Sequence, residues 1–336
     1  MLLLPVHLPV VMSGLGFSRI RQDAVQPRQT SQNSVPGMAI MAFCMLVLPG
    51  MDAIAKYLST FSSMAPAQVA FYRFFVQFCL TFPLLVLVAP RRFWKVERPW
   101  INLLRGGLHA AATLLFFISV KYMPLADVFA IYFVEPFMLT ALSALFLGDK
   151  VGWRQWLAIA IGFCGAMVVI QPSYALFGVT SLLPVFCAFF FTLYLFLNRA
   201  VGEGDSPLTM QVLSGAGGSL FMGIVLIIGH WLGQPEFQPS LPAGSLAVLL
   251  LLVLGGLSGF AHLLVVKAFR MAPLSVLAPF QYFEIISATI LGYALFGDFP
   301  SLSKWTGILI IILSGLYIIW RESQRSAVPS DRDTFA

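Results

Sequence analysis

Ten apolar runs alternate along the chain with short breaks of glycine, proline and charge, at residues 38–58, 66–89, 100–120, 125–147, 153–171, 179–198, 207–232, 244–266, 274–296 and 302–320. A helix that crosses the hydrocarbon core of a bilayer needs about 20 mostly apolar residues, so each run is predicted to be one membrane-spanning helix. The breaks carry loop or cap chemistry: Pro90-Arg91-Arg92, Gly148-Asp149-Lys150, Gln171-Pro172-Ser173, Gly202-Glu203-Gly204-Asp205 and Gly297-Asp298. The pattern predicts an all-α integral membrane protein of ten transmembrane helices.

The second half of the pattern repeats the first. At a constant offset of 149 residues, Gly106-Gly107-Leu108 aligns with Gly255-Gly256-Leu257, Pro124-Leu125 with Pro273-Leu274, Glu135 with Glu284, Gly148-Asp149 with Gly297-Asp298, and Trp156 with Trp305. Scarce residue types coincide without a gap, which chance explains poorly. The copies occupy residues 38–172 and 179–320. Five helices per copy is an odd number, so the second copy enters the membrane from the opposite side. Two inverted five-helix repeats suit a carrier with a site near the bilayer midplane, because related halves give related states open to opposite sides.

Composition agrees with this pattern and narrows it. The chain is 59% hydrophobic and 10% charged, whereas soluble domains carry roughly 25% charged residues. The net charge of +6 is scattered over short loops rather than gathered in a basic stripe, which argues against a nucleic-acid partner. In a membrane protein these cations report orientation. With the N-terminus in the cytoplasm, inner segments hold most Lys and Arg, Lys56, Lys121 and Lys304 lie outside, and Arg73 and Arg105 fall within helices. Both termini are then cytoplasmic, with residues 1–37 a disordered tail and 321–336 its C-terminal counterpart. Met1 to Phe17 is apolar but lacks a basic leader and a clear cleavage site, so it makes a poor signal peptide. Starts at Met12 or Met38 would leave the membrane domain intact.

Cys44, Cys79, Cys164 and Cys187 all lie in apolar runs without a CxxC pair and are expected to be small core residues. No His or Cys stands at metal-ligand spacing, so neither a metal nor another cofactor is expected. The chain has no HExxH or GxSxG, which argues against an enzyme, and no nucleotide loop, so transport is expected to run on a gradient or on exchange.

These residues resemble the drug/metabolite transporter superfamily, in particular its EamA-domain branch of bacterial ten-helix carriers. The resemblance covers residues 38–320 and is carried by Met51-Asp52-Ala53-Ile54-Ala55-Lys56, by Ala65 to Arg73, and by the paired Pro-Leu…Glu…Gly-Asp blocks. It implies a carrier in a bacterial inner membrane, monomeric or weakly dimeric, with a cavity lined by the first, third, fourth, sixth, eighth and ninth helices. Members of this family move amino acids, aromatic compounds, S-adenosylmethionine, riboflavin or metallophores. The expected substrate is a ring-bearing small molecule, riboflavin-like or S-adenosylmethionine-like; the alternative is export of amino acids, aromatic compounds or metallophores.

Charges and hydrogen-bonding groups inside the apolar runs are the candidates for substrate binding or proton coupling. An ionisable side chain at mid-membrane costs about 2.5–3.5 kcal/mol on insertion scales, so it usually faces a cavity or a partner. Glu135 and Glu284 come first, each three residues after a polar or aromatic partner, Tyr132 or Gln281. They either contact substrate or a coupling proton, or cap broken backbone. Pro136 and Pro279 beside them remove helical hydrogen bonds. Asp52 and Lys56 stand four residues apart, so a salt bridge is available to them. Arg73 either holds an anionic substrate group or neutralises Asp52 or a Glu. Arg105, His109 and Thr113 share one helix face, and His262 occupies the register of Thr113. The two histidines either relay protons or pack. Tyr194 and Tyr282, with Gln281 and Asn198, supply flat rings and polar tips for a conjugated substrate. The glycine pairs at 106–107 and 255–256 are expected at equivalent close helix crossings.

Overall fold

The computed structural model describes residues 34–88, 96, 99–142, 144–145, 152–201, 206–242, 244–271 and 277–326. In chain order the helices are α1 (Ser34–Phe61), α2 (Pro66–Val88), α3 (Pro99–Tyr122), α4 (Leu125–Tyr132), α5 (Glu135–Leu142), α6 (Trp153–Phe177), α7 (Leu183–Val201), α8 (Pro207–Trp231), α9 (Gly244–Met271), α10 (Phe283–Phe296) and α11 (Leu302–Ser326). Among the described residues, 3₁₀ turns occur at Gly178–Leu182, Pro235–Phe237 and Ala278–Tyr282. No strand occurs among the described residues. Among the described residues, seven segments are long and apolar enough to cross a membrane, and three shorter apolar stretches, Trp156–Ile170, Phe280–Phe296 and Leu302–Ile318, fall on other predicted spans. Large apolar side chains such as Leu87, Ile227, Leu252 and Leu313 point outward. This is a multi-pass membrane protein.

Several boundaries move from their expected places. The first helix begins at Ser34 and the last runs to Ser326, so both extend into the predicted tails; residues 1–33 and 327–336 lie outside the described set. Gln171-Pro172-Ser173 is not a loop, because α6 continues through it to Phe177. The chain turns only where Gly178 takes a positive φ of 61°, a conformation open to a residue without Cβ. Gly148-Asp149 and the Gly202–Asp205 break lie outside the described residues. Gly297 does cap α10, with φ 72° and its N–H donating to Tyr293 O at 3.0 Å.

The fourth and ninth spans are not single rods. The fourth is interrupted at Phe133-Val134 between α4 and α5, and the ninth enters through the turn Ala278–Tyr282 before α10. Pro136 explains the first break, since it has no N–H to return to Tyr132 O. Pro279 stands in the second break, inside that 3₁₀ turn.

Helix pairing follows the small residues. A Cβ on Gly106 would sit 2.6 Å from Ser214 O, and one on Gly217 would sit 2.4 Å from Leu103 O, so α3 and α8 cross backbone to backbone. A Cβ on Gly255 would meet Val76 Cβ at 2.5 Å, which brings α9 equally close to α2. The glycine pairs therefore mark tight crossings as expected. α6 packs along α11, α1 along α9 and α10, and α3 along α7. Cys44 and Cys187 are buried, but Cys79 and Cys164 are exposed on the apolar exterior rather than in the core.

Candidate functional site

Each interrupted span starts its second piece with a carboxylate. Glu135 is the first residue of α5, and Glu284 the second of α10. At a helix N-terminus the unpaired N–H groups and the macrodipole favour negative charge by about 0.3–1 kcal/mol. The breaks thus lower the cost of placing these acids deep in an apolar bundle. Glu135 is only 5% exposed, and its Oε1 has no hydrogen-bond partner among the described residues. Glu284 reaches a cavity of about 110 Å³ at the centre of the bundle, shared with Asp52, Arg73, His109, His262 and Tyr132.

Arg73 organises the opposite wall of that cavity. It is 2% exposed. Its Nε donates to Ser258 Oγ at 3.1 Å, one Nη donates to Thr113 Oγ1, and the other lies 3.2 Å from His109 Nε2. Ser258 Oγ in turn donates to Gln77 Oε1 at 3.1 Å. The guanidinium carbon also stands 4.7 Å over the Phe74 ring, a favourable cation–π geometry. Arg73 forms no ion pair among the described residues; neutral groups on α3 and α9 solvate it instead. His109 is stacked on Tyr194 at 4.6 Å, with His262 at 5.3 Å. The cavity lining is completed largely by aromatic rings, including Phe116, Phe129 and Phe191.

The remaining candidates are scattered. Tyr282 stacks on Phe133 at 5.3 Å and points its hydroxyl at Gly315, in a separate apolar cavity between α10 and α11. Gln281 and Asn198 are half-buried and do not line the central cavity. Arg105 turns away from Thr113 and donates to Met210 O at 2.8 Å.

The expected Asp52–Lys56 bridge does not form. Lys56 reaches Asp298 at 2.5 Å and Met123 O at 3.1 Å. The tertiary partner wins because the glycine cap at 297 delivers a carboxylate to the ammonium, while Asp52 turns into the cavity one turn away. A second pair, Lys304 to Asp127, lies close enough that the four charges act on one another. Asp127 is fully buried, and it was not among the candidate residues. An acid two residues into an apolar span, after Pro124-Leu125, was the available signal.

Over most of its length the chain matches proteins named as transporters. It is 28% identical over 276 residues to a riboflavin transporter of Vibrio cholerae, covering 82% of this chain and 90% of that protein. An S-adenosylmethionine uptake transporter of Rickettsia bellii is 27% identical over 273 residues, 81% and 89% of the two chains. One solved crystal structure superposes with a TM-score of 0.59 at 17% identity, covering 86% of this chain and 98% of that one, a likeness of fold. The EamA-like transporter family model matches twice, at residues 36–171 and 178–320. With its buried polar cavity inside an apolar helical bundle, the chain belongs to the EamA-like transporter family, whose carriers of small metabolites it resembles along both halves.

Proposed function

We propose that this protein is a secondary carrier for a ring-bearing metabolite, and that it works by alternating access between two inverted five-helix repeats. The observation that carries the reading is the matched placement of Glu135 and Glu284, 149 residues apart, each at the start of the second piece of a broken span. Broken helices at an inverted-repeat interface are where such carriers bind substrate and coupling ions. Packing supports the inversion. α3 meets α8 through Gly106 while α9 meets α2 through Gly255, and the register-equivalent residues Phe133 and Tyr282 stack on one another. These are the contacts that a two-fold axis in the membrane plane demands of inverted halves.

Chemistry supports the substrate class. Aromatic rings, two carboxylates and a guanidinium surround the cavity, a set that suits a conjugated ring bearing polar or charged groups. The riboflavin and S-adenosylmethionine carriers among the relatives transport ligands of that kind. A drug-sized ligand occupies a pocket of about 300–1,000 Å³, so the 110 Å³ cavity must widen to load. The Lys56–Asp298 and Lys304–Asp127 pairs join the two halves at the end where α1 finishes and α11 begins. They act as the closed gate of this conformation, on the extracellular side of a bacterial inner membrane, with both termini cytoplasmic. A carboxylate that gains and loses a proton couples the cycle to a proton gradient. The carrier works as a monomer or weak dimer without a cofactor.

Reconstituted protein is expected to move riboflavin or S-adenosylmethionine into liposomes, faster with a pH gradient. Full transport by both Glu135→Gln and Glu284→Gln would remove the site assignment. Cysteines at positions 149 and 298 should be labelled from opposite sides of the membrane; labelling from one side refutes the inversion. A relative that exports pseudopaline in Pseudomonas aeruginosa, 22% identical, motivates a second reading, efflux of amino acids, aromatic compounds or metallophores. Resistance without growth rescue of an auxotroph would select it.

A further inference from the structure

We propose that His109 and His262 form a fixed donor–acceptor pair that reads the edge of a substrate heterocycle, one ring acceptor beside one N–H donor. This rests on the ring-bearing substrate class above. The assignment of protons follows from the partners. Arg73 Nη2 stands 3.2 Å from His109 Nε2, and a guanidinium has donors only. His109 Nε2 must therefore accept, the ring is neutral, and its proton sits on Nδ1. That Nδ1–H is buried in a residue 4% exposed and has no partner among the described residues. A buried donor left unmet is costly, so a ligand acceptor is its natural complement.

His262 is set the other way round. Its Nδ1 lies 2.8 Å from Ser258 O, a carbonyl that only accepts, so Nδ1 carries the proton. The same Ser258 holds Arg73 through its hydroxyl, and a second buried cation beside that guanidinium is disfavoured. The neutral ring then offers Nε2 as a lone pair. The two rings are 5.3 Å apart between centroids, tilted by 50°, and both line the cavity. Tyr194 stacked on His109 and Phe74 edge-on to it hold that ring's plane.

Register argues against a packing role alone. The residue equivalent to His109 in the second half is Ser258, and the one equivalent to His262 in the first is Thr113. Small hydroxyl residues fill the same crossings in the other copy, so helix packing does not demand imidazole at either place. A donor beside an acceptor fits the imide edge of a flavin, where C=O accepts and N3–H donates. It equally fits the amidine edge of adenine, where a ring nitrogen accepts and the N6 amine donates.

The test uses the full chain in proteoliposomes with riboflavin and S-adenosylmethionine as probes, against N3-methylriboflavin and N6,N6-dimethyl-S-adenosylmethionine, which have lost every N–H at the donor nitrogen. The wild-type protein is expected to carry one parent compound at least about tenfold faster than its methylated form, since a site built to bond an N–H discriminates strongly against its loss. His262→Leu should abolish that discrimination, and His262→Gln, which keeps an acceptor near the Nε2 position, should restore it. His109→Asn, with a donor near the Nδ1 position, should outperform His109→Leu. The riboflavin pair and the adenosyl pair separate the two ligand sources. Equal rates for parent and methylated compounds overturn the inference alone, as does undiminished discrimination in His262→Leu. Carriage of neither parent by the wild-type protein overturns the substrate class and this inference together. If the leucine variants do not fold, the wild-type discrimination and the Gln and Asn variants decide the matter.

Discussion

Lys56 and Lys304 each meet a carboxylate where α1 ends and α11 begins, whereas Asp52, one helical turn before Lys56, and Glu284, at the far end of α10 from Asp298, face the cavity with no ion pair among the described residues. Both regions bury charge in an apolar bundle and solve its cost differently. In the first, every ion has a counter-ion from the other half of the chain. In the second, Glu284 stands at a helix N-terminus, Asp52 relies on cavity exposure, and Arg73, the guanidinium that lines the cavity, is bonded to uncharged groups. Paired ions hold parts together. Ions without a partner are available to a ligand or a proton.

The largest expected effect is at the paired end. Asp127→Asn leaves the Lys304 ammonium buried without its counter-ion, and breaking a buried pair from one side costs about 3–5 kcal/mol. Thermal unfolding in detergent should show that loss, and Asp127→Leu combined with Lys304→Met should recover most of it. A double variant as unstable as the single one would mean that the pair is not a self-contained unit.

Next comes Glu284→Gln, expected to slow transport by about tenfold, equivalent to about 1.4 kcal/mol, while the unfolding temperature stays near that of the native protein. The opposite result, normal flux with a less stable protein, would move Glu284 from the second region to the first. A smaller effect is expected for Lys56→Met, because Asp298 is partly exposed and can be hydrated: about 1 kcal/mol of stability, together with easier labelling of cavity cysteines from that end. Unchanged accessibility would show that this bridge does not gate. The smallest belongs to Tyr282→Phe. Its hydroxyl has no hydrogen-bond partner among the described residues and lies outside the central cavity, so transport should be unchanged. A loss of flux would extend the site to the α10–α11 interface.

Much of the site was legible because polar residues in apolar runs have few explanations. Asp52, Arg73, His109, His262, Tyr132 and Glu284 were all chosen by that reasoning, and all line one cavity. Tyr282, Gln281 and Asn198 were chosen by the same reasoning and stand elsewhere, because proximity along a helix does not tell which face the helix presents after its neighbours pack. Asp127 was passed over for a related reason: near the start of a span, an acid looks like an ordinary solvated end.

Sequence alone determined that lipid is the solvent, that apolar spans cross it, that the halves repeat at a constant register, and that two glutamates recur in that register. These follow from composition and spacing, which act along the chain. Tertiary structure decided which charges are paired: Lys56 chose Asp298 over Asp52, and Arg73 chose hydroxyls and an imidazole over any carboxylate. Those choices depend on which atoms arrive within about 3 Å of one another when distant helices cross, a distance at which hydrogen bonds are made or lost.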